Sequence, residues 1–508
     1  MNLDVWGRTI DGAHALRRLT DLPVALAIAA CALLVPVQLG WVTALSHAWG
    51  FNLWQYQPPA VAALLGVALL SLAFRRVRSW LLGGIERVEQ LIVDAIGRRR
   101  ALVLLLVAVP VALWFLRERR FYGDSTILVY SSLSGSEFVF PEIGASFLLG
   151  WSMHVARALG TSSLSVYQLL MCGSGAVAVG CFLGLGRSLA PEGARGSLFA
   201  ALVLCGGVMR VFAGHVEVYG FVVAAAAAYL WAAAAFLRGR CGYSLPALAF
   251  GVGLWIHLSF AFLAPSLVLL PLLVATRGSA LQYSKHLAIA FAAGIAPTAL
   301  FIAAMLAAGN SADLDAAWSS VVSAAGLAAH GGGEDLSREL WLRGWHQTPG
   351  TGTRYTMLGG PHLKYLANSF FLLTPAGVPL LFFLAASPKR FTATPQAVFL
   401  SVAALSTLLY SIVLRPIWGP YDWDLFSLTA VCLASLAAYL LLREFDQPLL
   451  AHFCLVVIAG SLLLATIPLL LAGLDTPRDA GPFSQPGISA IGDESTERAF
   501  DRQIGPWL

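Results

Sequence analysis

Apolar residues in this chain come in long runs separated by short polar or basic connections. Runs of roughly 17 to 25 residues, wound as helix, cross the ~30 Å hydrocarbon layer of a bilayer. The alternating ten-residue segments of a transmembrane barrel are not visible. The pattern therefore predicts an all-α polytopic membrane protein with about thirteen transmembrane helices. The predicted limits are 22–46, 57–74, 101–116, 164–186, 196–212, 217–237, 243–258, 260–275, 287–308, 366–386, 395–414, 425–442 and 449–473.

Basic residues mark one side of these predicted spans. Lysine and arginine are retained on the cytoplasmic side of a membrane. With the N-terminus inside, every inner connection contains a basic residue, so the sequence predicts a cytoplasmic N-terminus and an outer C-terminus. No small-residue cleavage site follows the first apolar run, which favours a retained span over a signal peptide.

Three regions follow from this topology. Residues 1–100 form a two-span hairpin and a basic amphipathic cytoplasmic helix, predicted over 75–100 to lie on anionic lipid. Residues 101–473 form a transmembrane core with outer loops at 117–163, 309–365 and 415–424. Residues 474–508 form a polar outer tail. Loops as long as the first two are usually functional or disordered, and their aromatic residues favour function.

Composition narrows the class further. Only 12% of the residues are charged, against about 25% in soluble domains. The net charge of +5 reflects membrane topology, so no nucleic-acid partner is expected. The seven cysteines lie in apolar runs or beside an arginine-rich turn, which is neither a disulfide framework nor a zinc spacing.

Ionisable residues gather at the outer ends of the predicted spans, where charge near hydrocarbon is costly unless it faces protein or water. They come from separate connections and are Asp124, Arg210, His215, Glu217, His257, Arg415, Asp422 and Asp424. All of them except Arg210 have a structural alternative. The alternative is a helix cap for Asp124, Asp422 and Asp424, an interface for His215 and Glu217, packing for His257, and contact with lipid headgroups for Arg415. The gathering on one face is the main functional signal.

The segment Phe121-Tyr122-Gly123-Asp124 after the third span resembles the start of the GT-C membrane glycosyltransferases. In that family a catalytic acid in the first outer loop precedes an amphipathic helix along the membrane, and the segment from Phe140 to Gly160 is similar to that helix. Two features depart from the family pattern: Ser125 stands where many relatives have a second acid, and Phe140-Pro141-Glu142 replaces His-Pro-Pro.

The resemblance implies transfer of a sugar from a polyprenyl-phosphate carrier to an acceptor hydroxyl on a glycan, lipid or protein. Asp124 is then the general base. Arginine suits the donor phosphate through its bidentate fork, and the predicted phosphate ligands are Arg415, Arg354 and Lys364. Predicted contacts to sugar or acceptor are Glu142, His215, Glu217, His257, Tyr421 and Trp423. For the two aromatic residues, an interfacial aromatic belt is the alternative.

Asp422 and Asp424 point the same way if the chain there is extended, which suits a shared divalent cation such as Mg²⁺ or Mn²⁺. Sugar contact is the alternative role for this pair. No cofactor is otherwise indicated.

Three other functions fit the same pattern less well. An acyl or phosphoglycerol transferase shares the acid–histidine set. A transporter places polar residues near the midplane, often in inverted repeats, and no repeat is visible. A non-catalytic envelope assembly partner needs no such set. The Ala-, Leu-, Gly- and Arg-rich composition favours a GC-rich bacterium, hence a cytoplasmic-membrane protein with its active face in the periplasm.

Overall fold

The computed structural model describes most of the membrane core. The described residues are 23–42, 50–119, 142–190, 195–274, 280–307, 360–377, 381, 394–413, 419–444 and 447–474. They are 87% helical, and no strand occurs among them. The predicted all-α membrane architecture is confirmed at this level.

Sixteen α-helices lie within these ranges. They are α1 Pro23–Gln38, α2 Pro59–Ser71, α3 Arg75–Ile96, α4 Arg98–Phe115, α5 Ile143–Leu159, α6 Ser163–Leu189, α7 Arg195–Leu204, α8 Tyr219–Leu237, α9 Ser244–Ile256, α10 Ala264–Val274, α11 Ala280–Ala307, α12 Gly360–Leu373, α13 Pro395–Val413, α14 Ser427–Glu444, α15 Gln447–Ser461 and α16 Ile467–Leu474.

Six of the described helical segments are long and apolar enough to cross a membrane, or seven if the bent pair α2–α3 counts as one span. The six begin at Leu164, Tyr219, Tyr283, Pro395, Trp423 and Leu450. Three shorter apolar segments, Pro23–Gln38, Ser244–Ile256 and Leu258–Val274, match other predicted spans. The count of thirteen and the orientation stay predictions.

The helix α14 lies at the centre of the bundle. In the apolar 18-residue stretch that includes most of α14, 94% of the residues are buried within the protein. In the equivalent stretch of α11, only 11% are buried. A helix that is apolar on all sides is expected in a core, and α14 is packed by α7, α8 and α13. The alanine-rich α8 packs against α6 and α9, because small side chains let helix backbones approach closely.

A π-helical segment, Leu462–Thr466, joins α15 to α16 and ties the N-terminal region to this core. Wide helical turns free backbone carbonyls that need new partners. The Leu464 carbonyl accepts from Gln38 Nε2 at 2.9 Å, and the Leu463 carbonyl accepts from Trp54 Nε1 at 2.9 Å. The first hairpin is therefore attached through hydrogen bonds as well as apolar contact.

The helix α3 meets α2 at an angle of 96°. The position of α3 along a membrane surface stays a prediction. Trp80 and Leu91 are 70% and 69% exposed along α3. The buried Arg78 holds the corner, because its Nη1 donates to the Leu72 and Ala73 carbonyls at 2.6 and 2.9 Å. These contacts satisfy carbonyls at the end of α2.

We expect Arg78→Ala to lower the free energy of unfolding by about 1.5–3 kcal/mol, because the corner loses charge-assisted hydrogen bonds to backbone carbonyls. The measurement is denaturant unfolding of the purified protein in lipid nanodiscs. The exposed Arg76 is the matched control, and Arg76→Ala should change stability by no more than about 0.5 kcal/mol. Equal effects of the two substitutions would contradict the role of Arg78.

Candidate functional site

Four buried ionisable side chains meet at one end of the bundle. Glu118 follows the end of α4, and Arg210 lies in the 3₁₀ turn Gly207–Phe212. His215 lies in the connection before α8, and Asp424 lies in the 3₁₀ turn Gly419–Phe426 before α14. Each residue is less than 5% exposed. We refer to these four residues as the charge tetrad.

The tetrad is a continuous chain of contacts. Glu118 Oε1 accepts from Arg210 Nη2 at 2.9 Å. Glu118 Oε2 lies 2.6 Å from His215 Nδ1, and Asp424 Oδ2 lies 2.9 Å from His215 Nε2. Because each ring nitrogen faces a carboxylate oxygen, both nitrogens donate, and His215 is an imidazolium. Two anions and two cations then balance.

This balance of charges explains how four ionised side chains are tolerated in the protein interior. Burial alone lowers the pKa of His215, but the Glu118 charge and the hydrogen bonds with Asp424 and Glu118 raise it to about 9. Burial alone raises the pKa of Glu118, yet His215 and Arg210 hold it below its ordinary value. Both groups lie outside the helices long enough to span a membrane.

Backbone contacts fix the same region. The Glu118 amide donates to the Ala213 carbonyl at 2.8 Å. Gln168 Nε2 on α6 donates to the Glu118 and Gly214 carbonyls at 2.8 and 3.1 Å. Arg210 Nη1 donates to the Leu469 carbonyl on α16. Together with the Asp424 contact to His215, these bonds join five separate parts of the chain where α4 leads into the first predicted outer loop.

The Trp423 ring closes one side of the tetrad. Its centroid lies 5.3 Å from that of His215, and the Arg210 guanidinium carbon lies 5.8 Å from it. Trp423 is 1% exposed. The side chain thus packs on the buried charges, and its predicted stacking on a sugar ring stays a prediction.

A second pair, Glu142 and His257, lies at the same end of the bundle. Glu142 directly precedes α5, and His257 joins α9 to the following 3₁₀ turn. His257 Nε2 lies 3.7 Å from Glu142 Oε1, and its Nδ1 accepts from the Ser259 amide at 3.0 Å. The Tyr219 ring packs beside His257 with a centroid distance of 5.6 Å.

The other predicted site residues are placed as follows. Glu217 is buried, and Tyr167 donates to its carbonyl at 2.9 Å. Lys364 is exposed on α12. Asp124, Arg354 and Arg415 lie outside the described residues, and only the backbone of Tyr421 and Asp422 is described.

The predicted divalent-cation site is not tested by this geometry. Among the described residues, no group of three or more His, Cys, Asp or Glu side chains is arranged to hold a metal ion. One carboxylate oxygen of Asp424 is engaged by His215. The cation role of Asp422 and Asp424 stays a prediction.

Glu118 was not predicted as a site residue from the sequence, and Arg210 was predicted only as one of the polar residues near the outer face. Glu118 stands within Arg117-Glu118-Arg119-Arg120, directly after an apolar helix. An acid among arginines at a span end is a signal for a buried ion pair, although it does not identify the partner.

No family model, no curated protein and no solved structure matches this chain.

We expect Glu118→Gln to lower the free energy of unfolding by about 3–5 kcal/mol, because Arg210 and His215 would share a buried site without a full counter-charge. Denaturant unfolding in nanodiscs measures this. Glu86 is exposed on α3, so Glu86→Gln is the matched control and should be close to neutral. A Glu118→Gln protein as stable as wild type would contradict a stabilising tetrad.

Stability should also depend on pH through His215. Because folding raises its pKa from 6.5 to about 9, its contribution is fully present below pH 6.5 and is lost as pH rises through 9. Thermal unfolding of wild type from pH 6 to about 9.5 should show this fall, and His215→Asn should lack it. A pH slope that survives the substitution would assign it to another group.

Proposed function

We propose that this protein is a membrane glycosyltransferase that moves a sugar from a polyprenyl-phosphate carrier to an acceptor hydroxyl at the end of the bundle that holds the charge tetrad. The observation that carries the proposal is the convergence there of ionisable side chains from separate connections: the tetrad and the Glu142–His257 pair. Charge buried near a membrane is expensive and typically functional.

The tetrad supports this function because it anchors the chain six residues before Asp124. Glu118 is held by side-chain and backbone contacts, and Asp124 follows it by six residues. A general base must be held within hydrogen-bonding distance of the hydroxyl that it deprotonates. Anchoring the start of the loop restricts where the Asp124 carboxylate can lie.

The proposed reaction divides the work between two groups. Asp124 accepts the proton of the acceptor hydroxyl while the hydroxyl oxygen attacks the anomeric carbon of the donor sugar. The bond from that carbon to the phosphate oxygen breaks in the same step. Negative charge then develops on the leaving polyprenyl phosphate, and fixed cations stabilise it. Arg415, Arg354 and Lys364 are the proposed cations. The buried Arg210 is already engaged by Glu118 and Leu469, so its role is structural.

The proposed setting is a bacterial cytoplasmic membrane with this end of the bundle facing the periplasm. An acyl or phosphoglycerol transferase would use the same acid–histidine set on a different donor. The glycosyltransferase is favoured because Phe121-Tyr122-Gly123-Asp124 resembles the opening of the first outer loop in GT-C enzymes.

We expect wild type to release polyprenyl phosphate from at least one member of a panel of polyprenyl-phosphate sugars, with a membrane extract as acceptor source. Asp124→Asn should lower turnover at least ~100-fold, within the range expected on loss of a general base. Glu86→Gln changes an exposed residue on α3 and should turn over the donor as fast as wild type. Equal turnover by Asp124→Asn would remove Asp124 from catalysis, and turnover of an acyl donor alone would favour the rival class.

A further inference from the structure

The Glu142–His257 pair has a defined protonation pattern. His257 Nδ1 accepts a hydrogen bond from the Ser259 amide at 3.0 Å, so this nitrogen carries no proton. The neutral ring must then carry its proton on Nε2, the nitrogen that faces Glu142. An imidazolium would lose the Ser259 contact. His257 is therefore a fixed donor.

The distance between the pair suits an inserted group. At 3.7 Å, His257 Nε2 and Glu142 Oε1 are too far apart for a good direct hydrogen bond. A single hydroxyl oxygen can lie about 2.8 Å from both atoms, where it accepts from one and donates to the other. A hydroxyl supplies both functions through one atom, whereas a carboxylate or phosphate oxygen would be repelled by Glu142.

The pair is also more accessible than the tetrad. The Glu142 side chain is 18% exposed, whereas those of Glu118 and Asp424 are 1% and 5% exposed and already bonded. The hydroxyl of Ser259, in the same turn as His257, is buried without a hydrogen-bond partner among the described residues. This region therefore has polar capacity that the described part of the chain does not use.

Packing fixes the position of Glu142. Gly144 lies against Trp255 so closely that a Cβ at this position would come within 2.7 Å of the Trp255 ring and carbonyl oxygen. Phe147, one turn further along α5, packs beside Trp255 with a centroid distance of 6.2 Å. The start of α5 is thus held against the end of α9, which keeps the carboxylate opposite the imidazole.

We infer that Glu142 and His257 form a hydroxyl-binding clamp that holds a sugar, with His257 Nε2–H donating to a sugar hydroxyl that in turn donates to Glu142. This deepens the proposed function, because it assigns the sugar-contacting residues of the same site. The clamp requires neither a lipid carrier nor turnover, so binding of a free sugar is sufficient to test it.

Two substitutions of His257 separate the clamp from a purely structural role. The amide nitrogen of Gln reaches about the position of Nε2, so His257→Gln keeps the donor to the sugar. The shorter Asn places its amide oxygen near Nδ1, so His257→Asn keeps the acceptor for Ser259 and loses the donor. If the clamp holds the sugar, His257→Gln preserves sugar binding and His257→Asn does not. If His257 acts only through its contact with Ser259, His257→Asn preserves sugar binding and His257→Gln does not.

The experiment is saturation-transfer NMR on the full chain in nanodiscs, without sugar-based detergent, against free glucose, galactose, mannose, N-acetylglucosamine and arabinose. At least one sugar should bind wild type and His257→Gln, and should bind His257→Asn and Glu142→Leu at least about tenfold more weakly. Gly144→Ala should also weaken binding, whereas Gly150→Ala, where no atom lies within 4 Å of the added Cβ, should not.

Binding of no sugar to wild type would overturn the clamp, as would equal binding by folded His257→Asn and wild type. Thermal unfolding establishes that each variant is folded. The lipid-linked turnover assay is independent of this result. Turnover without free-sugar binding would overturn the clamp alone. Sugar binding without turnover would support the clamp and contradict the proposed glycosyltransferase activity.

Discussion

The position of Glu118 between Arg210 and His215 is the constraint on which this end of the protein depends. The Glu118 carboxylate contacts both cations through its two oxygens, and Asp424 supplies the second negative charge that balances the set. If one of the four residues moved away, a buried partner would lose part of its counter-charge. The connections after α4, before α8 and before α14 must therefore lie together. Helix packing alone would fix only the axes of these helices.

The two histidines near this end are used in opposite ways. His215 donates from both nitrogens to carboxylates and is positively charged, whereas His257 accepts at Nδ1 and donates only from Nε2. The first arrangement is closed on itself and supplies rigidity. The second leaves an accessible carboxylate opposite a fixed donor, so it is suited to hold a ligand. A rigid charge tetrad beside the accessible Glu142–His257 pair is the arrangement that a preorganised binding site requires.

Much of the helical architecture could be predicted from the chain, because apolar runs mark where helices lie. Their limits were less exact, since the predicted span 196–212 is α-helical only to Leu204 and continues as the 3₁₀ turn Gly207–Phe212. The resemblance to GT-C enzymes implied a helix near 140–160, and Ile143–Leu159 is helical. The basic amphipathic stretch after residue 75 forms α3. Alternation of the spans also brought His215 and Asp424 to one end. Their direct contact could not be predicted, since it depends on how distant helices pack. The π segment Leu462–Thr466 likewise has no local sequence signal, because its carbonyls are satisfied by Gln38 and Trp54.

We propose that a lipid-linked sugar reacts at the end of the bundle marked by the tetrad. The most direct measurement is a cryo-EM structure of the Asp124→Asn protein in nanodiscs with a bound polyprenyl-phosphate sugar. We expect sugar density between Glu142 and His257, with an intact tetrad and residue 124 beside the acceptor side of the sugar. Donor density at the opposite end, near Arg238 and Arg443, would contradict it.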